Sequence, residues 1–188
     1  MRGKLICLGL FTVAISITAL FYVRNVSATA VDPPGSFRGT TLAVGKFSRF
    51  DVFNAKVIED SNTSKKHKKK LWLSWQKTKG VSDLYVQSNV WDPGGSTGWH
   101  THPGHSLIIV TEGEVTTYEA DDRTCTPHLY KAGEGFVDPG GEHVHNIRNE
   151  GPLEARTIAV QLIPARPDGS SSAMDRRQDA PDPGNCPF

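Results

Sequence analysis

From Leu71 to Ile163 the chain is cut into short pieces by turn signals. These are Asp92-Pro93-Gly94-Gly95, His102-Pro103-Gly104, Gly113, Ala132-Gly133, Pro139-Gly140-Gly141 and Gly151-Pro152. Glycine favours backbone angles that other residues resist, and proline removes an amide donor, so regular structure stops at such points. The pieces between them read as strands at 71–78, 83–91, 97–102, 106–112, 114–120, 127–131, 143–149 and 153–163. Short strands about ten residues apart, without helical periodicity, predict an all-β sandwich or barrel. The 18 glycines and 12 prolines of this 188-residue chain agree with many turns and little helix. Ser106–Val110 is apolar on both parities apart from Ser106, which predicts a strand buried on both faces.

The flanks have a different character. Arg2 and Lys4 precede an uncharged run, Leu5–Val23, and Ser27-Ala28-Thr29-Ala30 follows. A basic end, an apolar stretch and an Ala-x-Ala ending predict a signal peptide over 1–30, cut after Ala30. A retained membrane anchor at 5–23 is the alternative, since the run can just cross roughly 30 Å of hydrocarbon. Cys7 lies too near the start to serve as a lipoprotein cysteine. The net charge of +1, from 21 basic and 20 acidic side chains, becomes −2 without this segment, which holds Arg2, Lys4 and Arg24 and no acid. That balance excludes a nucleic-acid binder, and the remaining length suits one domain.

Residues 31–70 form a lead-in, with one or two edge strands expected within 41–60 and a Lys-rich segment at 61–70. Nothing aromatic interleaves those lysines, so they read as a solvated loop, with a membrane-surface or polyanion patch as the alternative. Asn62-Thr63-Ser64 fits a glycosylation sequon. Residues 71–163 are the expected barrel, and 164–188 read by composition as a disordered tail. Export makes a disulfide the default for Cys125 and Cys186, the two cysteines of the mature chain, with separate buried thiols as the alternative. Such a bridge pins the end of the tail. The expected location is secreted, periplasmic or otherwise extracytoplasmic, with the membrane involved only if the signal stays uncut.

Six of the seven histidines fall between His100 and His145. His100 and His102 are two apart, so on a strand they share a face, about 7 Å apart along it. His143 and His145 repeat the spacing further on. Two His-x-His pairs facing one interior offer adjacent imidazoles to a metal ion. Hydrogen-bonded interior or surface histidines are the alternative, and His143 fits it better than the first pair does.

With these residues in place the chain resembles the cupins, small single-domain jelly-roll barrels. Gly94, His100, His102 and Gly113 fit the family's first motif, and its glutamate position holds Ser106. Gly133, Pro139, Gly141, His145 and Asn149 fit the second, with one extra residue between Gly141 and His145. The resemblance spans 83–163 and implies a single jelly-roll β-barrel. It also implies a divalent transition metal (Fe, Mn, Zn, Ni or Cu) on His100, His102 and His145. Three neutral imidazoles without the glutamate leave that ion its full charge. His143 is a candidate additional ligand, and Ser106 a candidate hydrogen-bonding residue behind the ligands.

Around this site Trp99 should pack outward, and Tyr85, Gln87, Asn89 and Gln161 are candidates to line a pocket. Asp138 and Glu142 are expected to be solvated at the barrel mouth, and Asn149 to hold backbone groups in the next turn. The resemblance implies a metal-dependent enzyme, an oxygenase in the first reading, acting on a small-molecule ligand. A non-catalytic metal- or ligand-binding module and a metal-free barrel for a sugar or acid are the alternatives. It also raises a homodimer formed through residues 41–60. Nothing in the chain names the substrate.

Overall fold

The computed structural model describes residues 37–59 and 69–188, so the proposed signal peptide, most of the lead-in before the first strand, the sequon and most of the Lys-rich segment lie outside the described residues. Twelve strands follow in order: β1 (Phe37–Phe47), β2 (Asp51–Glu59), β3 (Lys69–Lys77), β4 (Ser82–Trp91), β5 (His100–Thr101) and β6 (Ser106–Glu112), then β7 (Glu114–Glu119), β8 (His128–Lys131), β9 (Gly135–Asp138), β10 (His145–Arg148), β11 (Ala155–Pro164) and β12 (Gln178–Asp179). Among the described residues there is no α-helix, only one 3₁₀ turn at Ala173–Arg176. None of the helices there is long and apolar enough to cross a membrane.

Two five-stranded sheets, ordered β1-β4-β11-β6-β9 and β12-β5-β10-β7-β8, make the jelly-roll barrel. All strand pairings within them are antiparallel. One end of the interior is closed by Trp91, Val110, Val115, Ile147 and Ala155, with Phe37, Tyr130 and Phe136 packed against them. Complete burial of side chains of this kind stabilises by about 1.5–3 kcal/mol each. Asn149 ties off this end as expected. Its Nδ2 donates to the carbonyls of Trp91 and Leu153, and its Oδ1 accepts from Gly151 N at 3.0 Å.

The middle of the barrel is polar. Along β4 the buried parity is Tyr85, Gln87, Asn89 and Trp91, and along β11 it includes Thr157, Ala159 and Gln161. The register sets Tyr85 beside Gln161 and Asn89 beside Thr157. Asn89 Nδ2 donates to Thr157 Oγ1 at 3.3 Å, which lowers the cost of burying both groups.

Four expectations need correction. The strand read at 71–78 is β3, and it pairs only with β2, in a two-stranded sheet separate from the barrel, whereas β1 from the lead-in joins the barrel beside β4. The strand Ser106–Val110 is buried on one face only, since Leu107 and Ile109 are 51% and 54% exposed. No described element covers that outer face. The stretch read at 97–102 shortens to two residues: Ser96 bridges Arg148 and Thr97 N donates to Ile147 O at 2.9 Å, but Gly98 N turns back to Ser96 Oγ and breaks the ladder before His100. The tail is not disordered where it passes the barrel: Ala173–Asp179 carries the 3₁₀ turn and β12, whose Gln178 and Asp179 pair with Thr101 and His100. The strand β9 had no sequence signal, as its four residues begin on Gly135 and are hemmed by Gly133 and Pro139.

Candidate metal centre

The short strand β5 and the start of β10 lie side by side, with His100 opposite His145 in the register. This pairing, with the turn after Thr101, gathers three imidazoles. Ring centres are 4.7 Å apart for His100 and His102, 4.3 Å for His100 and His145, and 5.5 Å for His102 and His145. One ring nitrogen from each lies within 4.8 Å of the others.

Two loops are stitched together to hold this cluster. Gly141 N donates to His102 O at 2.6 Å, and Thr101 Oγ1 donates to Gly141 O at 2.7 Å. The contact requires glycine at 140, where φ is +66° and a Cβ would sit 2.2 Å from Gly104 O. The Pro139-Gly140-Gly141 turn therefore positions both Asp138 before it and His145 after it.

Hydrogen bonding behind the rings fixes their tautomers. A carbonyl oxygen can only accept, so His100 Nδ1 carries the proton it gives to Gly98 O at 2.9 Å, and His102 Nδ1 the one it gives to Arg176 O. Neutral rings held this way turn an Nε2 lone pair toward the interior. Both ring nitrogens of His145 are buried without a hydrogen-bond partner. Burial is the largest influence on all three rings and disfavours their charge: it holds His102 and His145 at about 4 and His100 well below its ordinary value. Three neutral imidazoles with converging ring nitrogens, those of His145 buried without a hydrogen-bond partner, fit a transition-metal ion.

The departures from expectation are specific. Asp138 is not solvated but 4% exposed, on β9 directly across from Ser106. Its carboxylate lies 3.4 Å from His102 Nε2, 3.6 Å from His145 Nδ1 and 3.4 Å from Ser106 Oγ, which donates to it. The negative charge that Ser106 does not supply is thus present one strand away. His143 stands aside from the triad, with Nε2 2.9 Å from a Glu119 carboxylate oxygen, although Asp138, His143 and His145 also offer ligand atoms within 4.8 Å of one another. Glu142 is exposed, and Trp99 packs away from the rings against Tyr118 and Cys186.

The triad opens on a cavity of about 130 Å³, whose wall includes Gln87, Asn89 and Gln161 as well as Arg176 and Arg177. The two arginines come from the tail. Their one signal in the sequence was Cys186, whose bridge to Cys125 (Cα–Cα 5.3 Å) brings the tail back to the barrel.

Residues 90–161 match the family model of the cupin domain. This part of the chain is a cupin domain. Among solved structures the cupin resembles oxalate oxidase, at 26% identity and a TM-score of 0.37 over 42% of this chain and 41% of that one. The chain therefore spans about two fifths of the length of the oxalate oxidase chains it matches. A Klebsiella pneumoniae protein with a double-stranded β-helix domain aligns at 23% identity and a TM-score of 0.38, over 47% of this chain and 70% of that one. A cupin domain from Bordetella pertussis aligns at 21% identity and 0.37, over 42% and 80%. No curated protein matches the chain.

Proposed function

We propose that the protein is an exported, metal-dependent enzyme that acts on a small molecule inside the cupin barrel, with an oxygenase as the reaction class. His100, His102 and His145 hold the ion, and Asp138 offsets its charge. The observation that carries this reading is the pair of unpartnered, buried ring nitrogens of His145 beside two rings whose Nδ1 protons are committed to carbonyls. A neutral imidazole keeps one lone pair and one N–H, so burying both without a hydrogen bond is costly unless an ion takes the lone pair. Three protein ligands facing a cavity, and not four closing around the ion, are the pattern of catalytic sites. When bound, the metal supplies Lewis acidity or a site for oxygen and substrate. The protein's own part is to hold the rings neutral and oriented, and to enclose the ligand between Gln87, Asn89 and Gln161. Export is supported by the Cys125–Cys186 bridge, which belongs in an oxidising compartment.

Elemental analysis of the purified protein tests the centre. About one transition-metal ion per chain is expected, and His102→Ala should abolish it. Unchanged metal content in that variant sinks the site. Oxygen uptake by the metal-loaded protein with a panel of small molecules then separates an enzyme from a binding module.

A further inference from the structure

The cavity holds a positive charge that neither the fold nor the metal reading uses. Arg176 is 8% exposed, and its Nε is buried without a hydrogen-bond partner. Its guanidinium lies 5.3 Å from the centre of the Tyr85 ring, and no carboxylate among the described residues pairs with it. Its neighbour is different. Arg177 donates from Nε to Asp179 Oδ1 at 2.7 Å and from Nη2 to Thr97 O at 2.7 Å. Arg176 is also fixed in place, since its own carbonyl accepts from His102 Nδ1 and from Gln161 Nε2. That last bond leaves Gln161 Oε1 buried and unpartnered as well.

A buried guanidinium without a counter-charge is costly to retain unless a ligand supplies one. Its planar fork of donors matches a carboxylate in two parallel hydrogen bonds. We infer that Arg176 forms an anion subsite in the barrel cavity, which takes the carboxylate of a small organic acid whose remainder extends toward the three histidines. The volume limits the ligand. At about 130 Å³ the cavity is of the size that takes one small molecule, so an acid of a few carbons fits. The unpartnered Gln161 Oε1 adds an acceptor suited to a hydroxyl or amino group on that acid.

The subsite rests on the metal reading only for what the far end of the ligand meets. Equilibrium titration of the purified full chain with acetate, in the metal-free and zinc-loaded forms, therefore tests it separately. Acetate should bind the metal-free protein saturably, and uncharged acetamide about 10-fold or more weaker. Arg176→Gln should weaken acetate binding by a similar factor, and Arg176→Lys, which keeps the charge without the fork, by less. The inference is overturned if acetate does not bind, if acetamide binds as well, if both variants bind acetate like the wild type, or if inorganic phosphate binds more tightly than acetate. Arg176-dependent acetate binding in a protein that takes up no metal would sink the metal reading alone. Metal lost in His102→Ala, with acetate binding indifferent to Arg176, would sink this one alone.

Discussion

At the scale of single residues, the centre is built from groups that are neutral only because they are buried. His102 and His145 titrate at about 4 and His100 well below its ordinary value, against about 6.5 in an unfolded chain. Between those values the unfolded chain binds protons that the folded one does not, so stability must fall as the pH falls. Glu119, raised by burial, works in the opposite sense, but it is one group against three. For the metal-free protein, the urea midpoint should therefore drop steadily from about pH 6.5 toward pH 4. A flat profile over that window would show that the rings are not buried neutral. Asp138 permits a second residue-scale prediction. Asp138→Asn keeps the shape and the acceptor for Gly140 N–H but removes the charge beside His102 and His145. Metal affinity should fall about 10- to 100-fold, as for other groups that support metal ligands. Ser106→Glu in the same chain should recover part of it, because the two positions face each other across β6 and β9. Equal metal affinities in all three proteins would remove Asp138 from the centre.

At the scale of elements, the β2–β3 hairpin stands out as an insertion. The strands on either side of it, β1 and β4, are antiparallel neighbours, and Phe47 already lies opposite Ser82. The hairpin is closed at its base, where Thr78 N donates to Phe50 O at 2.9 Å and Phe50 N to Thr78 Oγ1 at 3.2 Å. Its large side chains stay in water, with Phe53 61% and Trp75 69% exposed, so it lends the barrel little buried area. Replacing 51–77 by a two-residue turn should leave the calorimetric melting temperature within about 4 °C, the shift expected for about 1 kcal/mol in a domain of this size. Failure of that variant to fold would make the hairpin part of the core. The hairpin also shows what the sequence left hidden. Turn-bounded segments without helical periodicity marked 71–78 as a strand, but no pattern within a strand says which strand it pairs with. The same gap hid Asp138. Its place before Pro139 was plain, and its position opposite Ser106 depended on β9, which is too short to leave a periodic trace. The histidines were legible because two-residue spacing survives any partner choice.

At the scale of the molecule, the C-terminal segment and the barrel form one unit. Composition marked 164–188 as polar and Pro-rich, which describes how little of it can enter a core, not where a covalent tether can hold it. Tyr85 OH donates to Ser172 O at 3.1 Å, β12 extends the sheet beside His100, and Cys186 is buried with Trp99 and Tyr118. Between these anchors the Arg176 carbonyl takes the His102 Nδ1 proton and so keeps the Nε2 lone pair toward the cavity. The bridge closing this segment joins residues 61 apart. In the chain-entropy view a loop of that size stabilises the fold by about 4 kcal/mol. If the segment only added stability, replacing Cys125 and Cys186 by alanine would lower the denaturation midpoint and leave the centre alone. Because the same segment orients a ligand, the double variant should lose both. Its midpoint should fall, and under native conditions its metal affinity should drop about 10-fold or more, the cost of loosening a group that orients a metal-bound imidazole. A lower midpoint with undiminished metal affinity would show that β12 and Ser172 hold Arg176 in place unaided, and that the bridge serves stability alone.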